Sequence, residues 1–460
     1  RFETLPNAKA TLFSGAFFCL NYHLYLGGYM NKTIFKDFSK YVSFNILGQI
    51  AYSCYTLADT FFVSADIGTN GLTALNLAFP VFCIISGTGL MIGIGGSSRF
   101  SILKSRNESN TADQVFTNGL MLVLLFASIF FFTGLFASQH LVTVLGADIQ
   151  VFETTNRYLK VLMLFAPAFL LNHFLQCFVR NDGNPSLSMA AMITGSFSNI
   201  VLDYIFIFPF HMGIFGAALA TGLSPVISML VLLPYFLKKK NSFHLTIPNL
   251  VQMKRTTANI LANGIPPFLT EAASGVVMFL FNFIILRISG NTGVAAFSVI
   301  SVISLVVISL YTGLSQGIQP LISQNHGAGN KKNVQTLLRY SLITSILLSI
   351  VIYGIIFFHA PRLVSVFNSE QDLILASYAI PGLKLYFTAC PFIGFNIVLS
   401  TYFISINHPL PAQIISILRS FFVLIPMAWI LSYCFGMTGV WLAYPATELF
   451  VFLFALTKRP

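Results

Sequence analysis

The chain has 460 residues, of which 56% are hydrophobic and only 8% are charged. Soluble domains usually carry about 25% charged residues, so this composition excludes an ordinary water-facing surface and predicts an integral membrane protein. The formal net charge of +11 would suggest nucleic-acid binding in a soluble protein. Here the basic residues lie in short loops between apolar runs, so we expect no nucleic-acid partner.

Residues 1–29 do not look like a membrane span. The segment begins without Met, holds one modest apolar patch at 10–20, and is followed by Met30. It has no convincing cleavage site for a signal peptide. We therefore interpret 1–29 as a non-native or leader segment.

Twelve apolar runs follow, separated by Gly, Pro and charged residues. About 20 apolar residues are needed to cross a bilayer as a helix, and these runs are continuously apolar rather than alternating. Because backbone groups in lipid must pair internally, we predict an all-α membrane protein. The predicted spans lie near 42–63, 71–97, 116–137, 158–179, 187–209, 213–237, 259–287, 293–323, 340–359, 377–405, 410–433 and 438–457.

Lysine and arginine residues cluster in the loops on one side of the predicted bundle. Cytoplasmic loops of membrane proteins are enriched in these residues, so both termini are predicted to be cytoplasmic in a multi-pass protein of the plasma (inner) membrane. The residues assigned to this side are Lys32, Lys36, Lys40, Arg99, Lys104, Arg106, Arg180, Lys238, Lys239, Lys240, Lys254, Arg255, Lys331, Lys332, Arg339, Lys458 and Arg459.

The two halves of the sequence repeat each other at an offset of 222 to 224 residues. Residues 67–74 match 289–296, and Gly213 to Gly216 match Gly436 to Gly439. Six helices per copy give both copies the same orientation, with a pseudo-twofold axis along the membrane normal. We predict two six-helix lobes, 30–240 and 258–460, joined by a cytoplasmic linker at 241–257.

Charged residues inside a bilayer are costly and are therefore functional candidates. Asn199 lies one helical turn before Asp203, so an amide oxygen and a carboxylate share one face and suit a hard cation or a proton. Arg419 either pairs with an acid or reaches the cytoplasm. For His173 we expect a hydrogen-bonded structural role, and Glu448 fits a position near a helix end. The intramembrane acids are Asp59, Asp203, Glu271 and Glu448.

No sequence motif indicates catalysis. There is no GxxxxGK[ST] phosphate loop and no HExxH, and the six cysteines lie in apolar stretches without metal-binding spacing. We therefore expect a transporter rather than an enzyme, with no cofactor, driven by an ion or substrate gradient. An intramembrane transferase, a channel and a flippase for lipid-linked precursors remain alternatives.

Several segments are similar to the multidrug and toxic compound extrusion (MATE) family, over about residues 40–457. They are Asp59 to Val63, Asn199 to Asp203, Gly213 to Thr221, Gly313 to Pro320 and Gly327 to Asn330. One departure lies after the second helix, where 104–107 replaces the glycine-containing turn seen at 327–329.

The resemblance implies two lobes around a central cavity and export of small organic, often cationic, compounds in exchange for Na⁺ or H⁺, as in bacterial multidrug exporters. It places a cation or proton site at Asp59, Asp203, Asn199 and Thr221, the first three being ligands if the ion is Na⁺. It places substrate-cavity positions at Tyr158 and Gln176, and we add Glu271 and Gln316 as further candidates. We expect a monomer. The sequence does not choose between the two ions.

Overall fold

The computed structural model describes residues 32–247, 250–368 and 372–457. The described chain is almost entirely helical and contains no β-strand. Its α-helices are α1 Lys32–Ile67, α2 Thr69–Ser105, α3 Ser109–Val144, α4 Phe152–Leu164, α5 Ala166–Asn181, α6 Pro185–Ile207, α7 Gly213–Leu237, α8 Leu250–Gly327, α9 Lys331–Phe367, α10 Leu373–Tyr386, α11 Cys390–Ser405, α12 Pro409–Ile417 and α13 Leu424–Leu456.

These helices form twelve spans because some are broken and others continue one another. The 78 residues of α8 are far too many for one crossing, and the helix kinks at Gly290, where φ is 63°. A similar kink at Gly436 divides α13. Conversely, α4 and α5 form one span bent by 46°. A 3₁₀ turn at Phe387–Ala389 joins α10 to α11, and a π-helical turn at Leu418–Phe422 joins α12 to α13.

Left-handed backbone positions recur at the spacing of the sequence repeat. Such conformations favour glycine or asparagine, so they mark the same turns in both halves. Asn107 has φ of 63° and takes the place of Gly329, where φ is 74°, so the turn after the second span keeps its geometry without glycine. The pairs at offsets of 222 to 224 are Gly68 with Gly290, Asn107 with Gly329, Gly183 with Asn407, and Gly213 with Gly436.

Each half has its own apolar core, and large apolar side chains cover the outside. One core is built from α2 to α7 and includes Phe174 and Phe178, while another is built from α8 to α13 around Trp441. Phe136 on α3 and Phe358 on α9 are both 79% exposed. Exposed surfaces of this kind are stable only in lipid, which agrees with a multi-pass membrane protein.

Glycines allow the two halves to pack closely. A Cβ atom at Gly95 on α2 would lie 2.1 Å from the carbonyl oxygen of Ile260 on α8. At the pseudo-equivalent position, a Cβ atom at Gly317 would lie 2.7 Å from Cα of Val42 on α1. The first half of α8 therefore crosses α2 much as α1 crosses the second half of α8.

The segment that joins the halves packs against the first half. Phe243 is buried among the rings of Phe100, Phe116 and Phe178. The helix α8 begins at Leu250, so the later part of the predicted linker is helical. The domain boundaries remain predictions, and the predicted leader at 1–29 lies outside the described residues.

We expect the substitution Gly95→Ala to destabilise the protein by about 1–3 kcal/mol, because the added methyl group pushes α2 away from the backbone of α8. Thermal unfolding of the detergent-purified protein measures this effect as a lower Tm. Gly354→Ala is the matched control, since no atom lies within 4 Å of a Cβ atom at that position of α9. Equal Tm values for the two variants would contradict the close crossing.

Candidate functional site

Two carboxyl groups meet in the core of the N-terminal half. Asp59 lies on α1 and Asp203 on α6, and both side chains are buried. The two carboxyl groups are near neighbours, so a charge on one acts on the other. Asn199 lies one turn before Asp203, and its Nδ2 is 3.5 Å from Oγ1 of Thr221 on α7. The structure thus brings together the four residues predicted for the ion site.

The oxygens of this cluster lack donors from the protein. Oδ1 of Asp59, Oδ1 of Asn199 and both carboxyl oxygens of Asp203 are buried without a hydrogen-bond partner. Two neighbouring buried carboxyl groups cannot both be ionised without a large free-energy cost, unless a cation lies between them; otherwise one of them holds a proton. The cluster is therefore a site that a small cation would neutralise.

A cleft of about 800 Å³, including its open volume, lies beside this cluster. Gln176, Glu271 and Gln316 line it, whereas Tyr158 is buried and is not one of its lining residues. The pseudo-equivalent residues Gln49 and Glu271 both face the cleft. Its aromatic wall consists of Tyr52, Tyr55, Phe82 and Phe169.

Polar side chains on α5 connect the two halves at the end of the bundle where Lys104 and Lys238 lie, here called the basic end. Nη1 of Arg180 donates to Oε1 of Gln316 at 2.6 Å, and Nδ2 of Asn181 donates to Oε1 of Gln319 at 2.9 Å. The sequence assignment of Arg180 to a loop is wrong, because Arg180 lies within α5 and its side chain is only 1% exposed. From the sequence alone, a basic residue beside a helix end is taken for a loop residue, because the sequence does not show that the second half packs over it.

A family model described as MatE matches residues 45–205 and 266–430, which are parts of both halves. The chain belongs to the MATE family of membrane transporters. This membership excludes the intramembrane-enzyme alternative, and its transporters share the twelve-span fold.

Similar proteins cover nearly the whole chain. The multidrug export protein MepA of Staphylococcus saprophyticus is 26% identical over 410 residues, which are 89% of this chain and 90% of the relative. MepA of Staphylococcus aureus is 26% identical over 413 residues, or 90% of each chain. An outward-facing multidrug resistance MATE transporter of the MOP superfamily has a TM-score of 0.86 at 25% identity, covering 92% of this chain and 95% of that one.

A MOP superfamily transporter from Pyrococcus furiosus has a TM-score of 0.84 at 25% identity, with coverage of 92% of this chain and 95% of its own. The similarity to bacterial MepA places this MATE protein in the plasma membrane.

The C-terminal half of this MATE protein holds a different charged cluster. Nη2 of Arg419 donates to Oε1 of Glu448 at 2.7 Å, and Nδ2 of Asn396 donates to Oε2 of Glu448 at 2.7 Å. Glu448 lies within the second half of α13 rather than near a helix end, so that expectation is wrong. Arg419 is presented by the π-helical turn, a geometry that often marks functional positions.

His173 takes the hydrogen-bonded role that was expected for it, since its Nε2 is 3.0 Å from Oγ of Ser86. Asn396 was missed, because nothing in its local sequence distinguishes it from other polar residues of membrane helices. Its offset of 224 from Asn172, a residue of the cleft, was the available signal.

Removal of Arg419 should leave the buried carboxylate of Glu448 without its counter-ion. We expect R419M to destabilise the protein by about 3–5 kcal/mol, and R419M/E448L to recover most of this loss. Thermal unfolding in detergent measures both effects. The control is R157M, which breaks the exposed Arg157–Glu153 pair on α4 and should change the Tm little. If the double variant were as unstable as R419M, the loss of stability would not be due to the unpaired carboxylate of Glu448.

Proposed function

We propose that this MATE protein exports amphipathic organic cations in exchange for H⁺ or Na⁺ by alternating access. The observation that carries the proposal is the pair of donor-free carboxyl groups, Asp59 and Asp203, in one lobe beside a cleft that both lobes line. The MepA relatives, named as multidrug export proteins, support the direction and the class of cargo.

The cleft suits flat, positively charged substrates. Its aromatic residues offer ring faces to apolar and cationic groups, a contact worth about 0.5–2 kcal/mol each. Glu271 adds a carboxyl group on α8, opposite the α1 wall formed by Tyr52 and Tyr55. A cation with an aromatic body therefore gains both stacking and charge attraction, without needing one fixed shape.

Both coupling ions find some support in the acidic cluster. The proximity of two buried carboxyl groups favours H⁺, because a shared proton removes the repulsion between two ionised groups. The amide oxygen of Asn199 and the hydroxyl of Thr221 complete an oxygen set of the kind that Na⁺ binds. In either case the ion neutralises the site, and the changed charge alters the packing of α1 against α6.

Alternating access requires the two halves to separate at one end of the cleft. Side-chain hydrogen bonds from the second half of α8 to the other lobe begin at Ser309, near its midpoint, and continue to Gln324 toward the basic end. We assign the basic end and both termini to the cytoplasm, so this arrangement seals the cytoplasmic side. We expect a monomer to complete the cycle.

The flippase alternative receives less support. Lipid-linked precursors carry phosphate groups, and a cavity for them would contain several basic side chains. Among the residues that line the cleft, the basic ones are Arg180 and His173.

Asp203→Asn should abolish uphill dye movement in liposomes, since an amide neither exchanges a proton nor supplies charge for Na⁺. A fluorescent cationic dye is followed under an imposed pH gradient and then under an imposed Na⁺ gradient, which names the ion. Asp66→Asn is the matched control, because Asp66 lies on α1 but is exposed. Undiminished transport by a well-folded D203N protein would refute the coupling site.

Closing the basic end covalently should stop transport. Oγ of Ser98 on α2 lies 3.0 Å from Oγ of Ser323 on α8, so S98C/S323C brings two thiols to disulfide-forming distance. We expect oxidation of this variant to abolish dye transport and reduction to restore it, while each single variant stays active under oxidant. Full transport by the cross-linked protein would contradict separation of the halves at this end.

A further inference from the structure

One cationic side chain in the cleft has no charged partner. Arg180 is on the last turn of α5, and its Nη1 donates to Oδ1 of Asn45 at 3.1 Å and to Oε1 of Gln316 at 2.6 Å. Both acceptors are neutral amides. The described residues form two ion pairs, and neither includes Arg180. A buried, unneutralised cation is costly, so it needs an explanation.

The guanidinium group keeps one edge without a strong acceptor. Nε of Arg180 is buried and has no hydrogen-bond partner, and Nη2 has only a 3.5 Å contact with Sγ of Cys177. Nε and Nη2 together form the two-pronged edge with which arginine binds a carboxylate through parallel hydrogen bonds. Arg180 and Cys177 both line the cleft, so the guanidinium group with the unpaired Nε borders the cleft.

An acid lies in the same cleft at a different level. A Cβ atom at Gly87 of α2 would contact Cβ of Glu271, whereas one at Gly93 would contact Sγ of Cys177. Six residues of helix span about 9 Å, and Arg180 lies one turn closer to the basic end than Cys177. The cleft therefore holds a negative group and a positive group that are separated along the bundle axis.

We infer that Arg180 is the anion-recognising residue of the cleft, and that the protein takes amphipathic substrates that carry a carboxylate in addition to a cationic group. The inference rests on the proposed function, because it treats the cleft as the substrate site. A carboxylate on the Nε and Nη2 edge neutralises Arg180, while the cationic part of the same molecule lies toward Glu271 and the aromatic wall.

A purely structural role for Arg180 makes a different prediction. Through Gln316, Arg180 also ties the two halves together, and loss of that tie would impair all substrates equally. Gln316→Ala removes the tie but leaves the guanidinium group in place. Comparison of variants at the two positions with matched substrates therefore separates recognition from lobe contact.

The test uses rhodamine B, which carries a free carboxylate, and its ethyl ester, which has the same fluorophore but only the positive charge. In liposomes under the driving gradient, we expect R180Q to reduce rhodamine B transport about tenfold or more, since a charge-assisted bidentate contact is lost. Transport of the ester should stay within about twofold. R180K keeps the positive charge but not the two parallel donors, so its rhodamine B transport should lie between that of R180Q and that of the wild-type protein.

In Q316A, both dyes should be affected to the same extent. An equal loss of both dyes in folded R180Q and R180K would overturn the inference and leave Arg180 as a lobe contact. If the wild-type protein moves neither dye under either gradient, the proposed function fails. Dye binding to the purified protein, followed by fluorescence anisotropy, then tests Arg180 on its own, and unchanged rhodamine B affinity in R180Q would overturn the inference.

Discussion

The structure depends on the free-energy cost of placing charge inside a bilayer. Ionised groups in a low-dielectric interior persist only where something neutralises them. The C-terminal half meets this constraint internally, because Arg419 and Asn396 saturate the carboxylate of Glu448. The N-terminal half does not, because the donor-free oxygens of Asp59 and Asp203 leave their cluster incomplete. An incomplete charged site inside a membrane is one whose state depends on what enters it.

Close packing explains how such a local change reaches the interface between the halves. α1 carries Asp59, and the same helix contacts Gly313 and Gly317 on α8 through its backbone. Because packed helices shift between discrete arrangements rather than deform smoothly, a change in how α1 meets α6 also changes how α1 meets α8. The glycines let the backbones of α1 and α8 approach closely, so a shift of α1 is passed directly to α8.

Much of the fold could be predicted from the sequence, because membrane spans and internal repeats are recognisable from local sequence patterns. The third span was predicted near 116–137, whereas α3 extends from Ser109 to Val144, since helices continue past the hydrocarbon. Asn199 and Asp203 were singled out because they share one helical face and Asp59 because it is an intramembrane acid, whereas Thr221 was named only through the resemblance to the MATE family. The hydrogen-bond and ion-pair partners on distant helices could not be predicted, because no local pattern links Arg180 with Gln316 or indicates that Arg419 pairs with Glu448.

The repeat also explains why the two halves differ chemically. Asn172, Ser196 and Pro225 are residues of the N-terminal half that line the cleft, and their equivalents at offsets of 223 to 224 are Asn396, Arg419 and Glu448. Thus the charged cluster of the C-terminal half occupies the positions that are open cleft in the other half. In the C-terminal half, the positive charge is the guanidinium group of Arg419, which is covalently part of the protein and cannot leave. The two copies share their backbone, including its left-handed turns, but differ at two of these three positions: Ser196 and Pro225 border the cleft, whereas Arg419 and Glu448 form a closed ion pair.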